Sequence, residues 1–285
     1  MKRGQIARLI KSKIEAIGIE ELKENYQSSG KINHLIIDNL LPDEISEQLH
    51  KQFPPQSQLT LLNERQEKKY VGVQFREHQK IVEECIYAFQ DSEIINAFSK
   101  VCTIEDLEAD PELYAGGISS MSDTCFLNPH IDNSHDRLKE KYRRLNLLYY
   151  VSKDFLPSDG GQLLLYPQGI KAKPIEIDSR YNRLVVMRTD NKSLHAVKEV
   201  TTSLKRRMCI SNYYFSGTSP LGKNYYHSTS FRGFPGERKK DMILRLNAMG
   251  RTAIKSITGN IVGKYFNTGR HRGGKNSGTR KHDKS

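Results

Sequence analysis

The 285-residue chain lacks several things that would have placed it quickly. It has no apolar run approaching the about 20 residues that span a bilayer. Its opening, "MKRGQIARLIKSKIEAIGIEELKE", has no uninterrupted apolar core of the signal-peptide kind and is rich in glutamate. That composition also argues against a transit peptide, so the expected location is cytoplasmic. Cysteine is sparse: Cys85, Cys102, Cys125 and Cys209 lie far apart and form no CxxC pair. This excludes a cysteine zinc site and a disulfide frame, and fits reduced, buried thiols. Internal repeats are absent. The final stretch, "NTGRHRGGKNSGTRKHDKS", lacks apolar residues and cannot bury enough surface to offset its ordering entropy, so disorder is expected over 267–285.

Acidic residues are also scarce in one place. Residues 1–200 hold 27 Lys+Arg against 30 Asp+Glu, a net −3, while 201–285 hold 18 against 3, a net +15. The overall +12 is therefore a C-terminal property. A basic tail of this kind binds anionic partners weakly through counterion release. No helix-turn-helix, zinc-finger or aromatic RNA-binding signature accompanies it.

Hydrophobic residues make up 36% and charged residues 27%, enough for a folded core under a polar surface. Ile6, Leu9, Ile10, Ile14 and Ile17 recur at helical spacing, predicting one amphipathic helix within residues 3–27. "KINHLIIDNLLPDEISEQLHKQFP" predicts a strand in which Ile32, His34 and Ile36 alternate, then a turn and a helix with Pro42 at its first position. Residues 76–101 again read as helix. From about 114 the period becomes two. Eight strand-like runs follow, from "YAGGISSM" to "RRMCISNYYF", separated by turn formers such as "PSDGG" and "PQG". After Phe215 the pattern loosens to loop with one strand at most. A helix is predicted over "RKKDMILRLNAMGRTAIKSI", with Met242, Ile243, Leu246 and Met249 on one face. Helices followed by many short strands define an α+β class with a jelly-roll barrel.

Within "FLNPHIDNSHD", His130 and Asp132 sit two apart and share a strand face. HxD alone is common surface polarity. His195, in "SLHAVKEV", offers a third ligand from a later strand. Two histidines and a carboxylate on one side of a metal leave the opposite positions open, which suits non-haem iron(II). His135 and Asp136 have no second HD-type partner and read as solvated loop. After His195 comes a return strand opened by Arg206 and Arg207. An arginine facing the interior needs an anion, and its planar fork pairs with a carboxylate. Strand parity leaves both arginines open.

These motifs, in this order over residues 114–216, resemble the Fe(II)- and 2-oxoglutarate-dependent dioxygenases, in particular the prolyl 4-hydroxylase-like branch. "LLYYVSKDF" and "GGQLLLYPQG" resemble the strands and turns that follow HxD there. The length of "RMCISNYYF" matches the family's last core strand and selects Arg207 over Arg206. A glycine frequent before that arginine in the family is replaced here by the "TSLK" region. The resemblance implies a double-stranded β-helix with N-terminal helices packed on its major sheet and a C-terminal extension. The expected divisions are 1–113 (helical support with an entry strand), 114–216 (core), 217–266 (extension) and 267–285 (tail).

The resemblance further implies Fe(II) held by His130, Asp132 and His195, and 2-oxoglutarate as cosubstrate with its distal carboxylate on Arg207. Tyr150 is a second contact to that carboxylate, and ascorbate is an accessory reductant. The implied reaction is hydroxylation of a C–H bond of a peptidyl or free amino acid, proline-like, by O2, with 2-oxoglutarate decarboxylated to succinate. Nucleic-acid demethylases of the superfamily usually carry a second arginine on the last strand, and "ISNYYFSG" has none. Two other readings remain. One is a non-catalytic barrel module tethered to nucleic acid or ribosome by its basic C-terminus; the other is a cupin-like metal enzyme, which needs no arginine at 207.

Overall fold

The computed structural model describes residues 1–72 and 80–258. The N-terminal part runs α1 (Arg3–Ile17), α2 (Ile19–Ser28), β1 (His34–Asp38), α3 (Asp43–Gln52), β2 (Thr60–Glu64), β3 (Glu67–Gly72), α4 (Lys80–Ala88) and α5 (Ser92–Cys102). Strands then dominate: β4 (Glu108–Ala109), β5 (Gly117–Met121), β6 (Phe126–Ile131), β7 (Tyr142–Tyr150), β8 (Leu163–Leu165), β9 (Ile175–Ile177), β10 (Arg183–Arg188), β11 (His195–Val197) and β12 (Arg207–Ser216). The C-terminal part adds β13 (Ser230–Phe231) and α6 (Arg238–Thr258).

The strands form one curled antiparallel sheet in the order β1-β10-β7-β12-β5-β3-β6-β11-β8-β9. β2 extends β3, β4 lies on β12 and β13 lies on β6. Period two divides the major part of the sheet into two faces. Leu145, Leu147, Tyr149, Leu184, Val186 and Ile210 pack with Ile6, Ile10 and Ile14 of α1, Cys85 and Ile86 of α4 and Phe98 of α5. Tyr150, Val185, Met187 and Cys209 point the other way, and meet Leu163, Leu165 and Ile177 of the opposing strands. That second cluster is the inside of the jelly roll, and it is where the chemistry-bearing side chains lie.

All eight strand-like runs after residue 114 form strands. The N-terminal helix differs from expectation. Gly18 adopts φ 102° and divides it into α1, burying Ile6, Ile10 and Ile14, and α2, burying Leu22 and Tyr26. In β1, Leu35 and Ile37 are the buried pair, while Ile36 is 40% exposed, so the burial runs opposite to the Ile32–His34–Ile36 alternation. Pro42 is the residue before α3, not its first. Of the helix expected over 76–101, residues 76–79 lie outside the described residues, and the rest forms two helices, α4 and α5. Asp91 caps the second, its side chain accepting from Glu93 N at 3.0 Å. In α6 the buried residue is Leu244, and Met242 and Leu246 are exposed. Among the described residues no helix is long and apolar enough to cross a membrane. The tail at 267–285 lies outside the described residues.

Candidate metal and cosubstrate site

The HxD segment ends β6, and β11 lies beside it in register, with His195 opposite His130. The ring centroids are 4.2 Å apart. Each imidazole is oriented from behind. His130 Nδ1 lies 2.9 Å from Asn128 O, and His195 Nδ1 lies 2.8 Å from Ser193 O. A carbonyl only accepts, so each Nδ1 carries the proton and each Nε2 is left with a free lone pair. Asp132 closes the group: Oδ1 lies 3.5 Å from His130 Nε2, and Oδ2 lies 3.9 Å from His195 Nε2. The three ligand atoms lie within 4.8 Å of one another.

The electrostatics suit a divalent cation. Burial alone would raise the Asp132 carboxyl. Arg143 and the two imidazoles outweigh it and hold Asp132 well below its ordinary value, so it is ionised. Burial, helped by His130, lowers His195 to about 4, so it is neutral near pH 7. Asp132 Oδ2 is buried yet has no hydrogen-bond partner among the described residues. Two aligned lone pairs and an orphaned carboxylate oxygen fit a metal bound by two nitrogens and one oxygen.

Arg207 opens β12 and is buried, 3% exposed. Its Nε donates to Gly161 O and Ser179 Oγ, both at 2.8 Å. Its Nη2 lies 3.2 Å from Tyr150 Oη, and the guanidinium carbon stands 4.8 Å from the Tyr150 ring centre. No carboxylate pairs with it among the described residues. Arg206 instead turns outward to Pro54 O at 3.2 Å. The "GG" turn makes room for this arrangement: Gly161 has φ +70°, and a Cβ there would come within 2.9 Å of Arg207 Cδ. Burial pushes the Tyr150 phenol up to about 12, so it stays protonated. A buried guanidinium without an acid, beside a phenolic donor, has the chemistry to pair with an anion.

Two features were not legible in the sequence. Arg143 is buried beside Asp132, Nη1 to Oδ1 3.5 Å, with its guanidinium 4.2 Å from the Tyr213 ring centre. Simple alternation would put Arg143 with Leu145 and Leu147 on the helix side. The β7–β12 register shifts between Tyr214 and Phe215, and this bulge turns Arg143 inward. His135 was expected in solvated loop; it is buried, bonded to Ser134 Oγ at 2.7 Å and packed on Tyr142 at 4.3 Å. It lines a cleft of about 530 Å³ with Tyr142, Tyr225 and Tyr226, apart from the metal cluster.

Residues 116–215 match the family model described as the 2OG-Fe(II) oxygenase superfamily. No curated protein matches the chain. Among solved structures, a prolyl-4-hydroxylase from Pseudomonas putida superposes with a TM-score of 0.52 at 13% identity, covering 68% of this chain and 98% of its own. One of the prolyl 4-hydroxylases from Phytophthora capsici gives 0.50 at 14% identity, covering 84% of this chain and 74% of its own. The jelly roll, the two-histidine, one-carboxylate cluster and the matched segment agree on one class: over residues 116–215 the chain is similar to the 2OG-Fe(II) oxygenase superfamily. The fold is similar to that of these two prolyl 4-hydroxylases. The matched superfamily's metal and cosubstrate are Fe(II) and 2-oxoglutarate, and His130, Asp132 and His195 are a group that could hold such an ion.

Proposed function

We propose that the chain hydroxylates a C–H bond of a peptidyl or free amino acid, proline-like, with His130, Asp132 and His195 holding Fe(II). Arg207 and Tyr150 grip the distal carboxylate of 2-oxoglutarate. When bound, iron and 2-oxoglutarate supply the oxidation: one oxygen atom of O2 enters succinate as carbon dioxide leaves, and the other becomes the substrate's hydroxyl.

The residues of the chain do the rest. Asn128 O and Ser193 O keep both imidazoles presenting Nε2. Asp132 stays ionised because Arg143 faces it. Arg207 offers Nη1 and Nη2 to a carboxylate, since Gly161 O and Ser179 Oγ already occupy its Nε. Tyr150 Oη accepts from Arg207 Nη2 and keeps its own proton to donate to the same carboxylate. The apolar wall of Leu163, Leu165, Ile177, Val185 and Met187 keeps water from the space between the two charged ends.

The observation that carries this reading is the buried Arg207 with no acidic partner, in the same barrel as a ready-made metal cluster. A cupin-like metal enzyme has no use for it. A proline-like substrate is supported by the motif resemblance and by the fold shared with prolyl hydroxylases. The test is isothermal titration of 2-oxoglutarate into Mn(II)-loaded protein, followed by succinate measurement with proline-containing peptides and free proline. Metal-dependent 2-oxoglutarate binding and substrate-stimulated succinate are expected. A wild-type protein that binds neither metal nor 2-oxoglutarate defeats the reading.

A further inference from the structure

The strand that carries His130 and Asp132 is covered along its outer edge by a segment from outside the matched core. Residues 227–232 run antiparallel to residues 128–134 and bond to them over that whole length. Ser134 N donates to His227 O at 3.0 Å, and His227 N donates back to Ser134 Oγ at 2.9 Å. Asn133 N donates to Thr229 Oγ1 at 3.2 Å. Ser230 pairs with Ile131, and Phe231 pairs with His130. Arg232 N donates to Pro129 O at 2.7 Å, and Asn128 Nδ2 donates to Arg232 O at 2.8 Å. The same Asn128 supplies the carbonyl that orients His130.

The strap also reaches the ligand ring itself. Phe231 stacks on His130 with centroids 5.3 Å apart and 25° between the planes, on a ring that also meets His195. Both side chains are buried. A hydrogen bond at Nδ1 fixes one point of an imidazole but leaves rotation about χ2 soft. A ring packed against its face removes that freedom and excludes water.

The strap is itself clasped. Arg232 donates to Asp241 of α6 through Nε at 2.7 Å and Nη2 at 3.0 Å, and Gly233 N donates to the same carboxylate at 2.9 Å. Gly233 allows this closeness, because a Cβ there would lie 2.9 Å from Asp241 N.

We infer that the C-terminal extension is part of the metal site, and that Phe231 is a positioning residue that seats the His130 imidazole, with the Arg232–Asp241 pair holding Phe231 in place. The inference rests on His130 being a ligand. Outer partners of metal-binding histidines set affinity by roughly 10- to 100-fold.

The experiment is Co(II) titration of the full chain, read by visible absorption, on the wild type and on Phe231→Ala, Phe231→Leu and Phe231→Tyr. Phe231→Ala is expected to weaken Co(II) binding about tenfold and to alter the absorption envelope. Phe231→Tyr should restore both, and Phe231→Leu, apolar but without a ring, should not. Affinity of 2-oxoglutarate at saturating metal should stay within about twofold, because the Arg207 pocket is untouched. Should Phe231→Ala fail to fold, Asp241→Asn decides, since it loosens the clasp without entering the site; a severalfold loss of Co(II) affinity is expected. Unchanged Co(II) affinity and spectrum in these variants, with only thermal stability lowered, overturns the inference while leaving the ligand set standing. Absence of Co(II) binding by the wild type instead overturns the ligand reading itself.

Discussion

The barrel interior has two charged regions, and they are built on opposite principles. At the β6–β11 end a carboxylate is surrounded by cationic or metal-binding partners: His130, His195 and Arg143 all face Asp132. At the head of β12 a guanidinium is surrounded by neutral groups, namely Gly161 O, Ser179 Oγ, Tyr150 and Met121. The first region holds a negative charge ready for a cation. The second holds a positive charge that only an anion from outside can neutralise. In the proposed function, a dicarboxylate with one end on the metal and the other on Arg207 would satisfy both regions at once. Neither region alone explains why a single barrel keeps the other.

This contrast can be broken region by region. The largest effect is expected from His130→Ala or His195→Ala: two remaining ligands hold the metal poorly, so Co(II) or Mn(II) affinity should fall at least about 100-fold and succinate production should vanish. Metal titration checks the first and product analysis the second. Next comes Arg207→Ala. Removing one partner of a buried charge pair costs about 3–5 kcal/mol, so 2-oxoglutarate affinity should fall by about two to four orders of magnitude with metal affinity nearly unchanged. Calorimetry on the metal-loaded protein reads both.

Arg143→Gln should act at the metal region, because Asp132 loses the cation that keeps it ionised. Metal affinity is expected to fall about tenfold below neutral pH and less above it. The sign follows from the shift: a depressed carboxyl pKa rises when its cation is removed, so protons compete with metal at a higher pH than before. Metal titrations at two pH values check it. Tyr150→Phe acts at the other region and removes one hydrogen bond to a charged group, worth about 1.5–3 kcal/mol. The 2-oxoglutarate Kd should rise at least about tenfold.

What could be read from the chain, and what could not, divides along similar lines. His130, Asp132, His195 and Arg207 are short motifs on regular strands. Period two puts His130 and Asp132 on one face, the family resemblance selects Arg207 over Arg206, and the structure brings His130, Asp132 and His195 together. Arg143 was hidden because a register shift at Tyr214/Phe215 reverses its face, and no local residue pattern announces the bulge. The β2–β3 hairpin passed unnoticed in a charged stretch, "TLLNERQEKKY", whose β2 half is mostly exposed and whose β3 half is only partly buried apart from Glu67. Yet β3 fills the gap between β5 and β6. The strap β13 is two residues long, and its pairing partner lies about a hundred positions earlier in the chain. Contacts of that range leave no periodicity to read.

The central claim is that the metal cluster and Arg207 are two ends of one binding site. The most direct measurement is the 2-oxoglutarate Kd of the wild type with and without Mn(II), set beside the same pair of titrations on Arg207→Ala. The two-ended site predicts tight binding only with metal and arginine together, and weak binding when either is missing. Equal affinity with and without Mn(II), or no loss on removing Arg207, would contradict it.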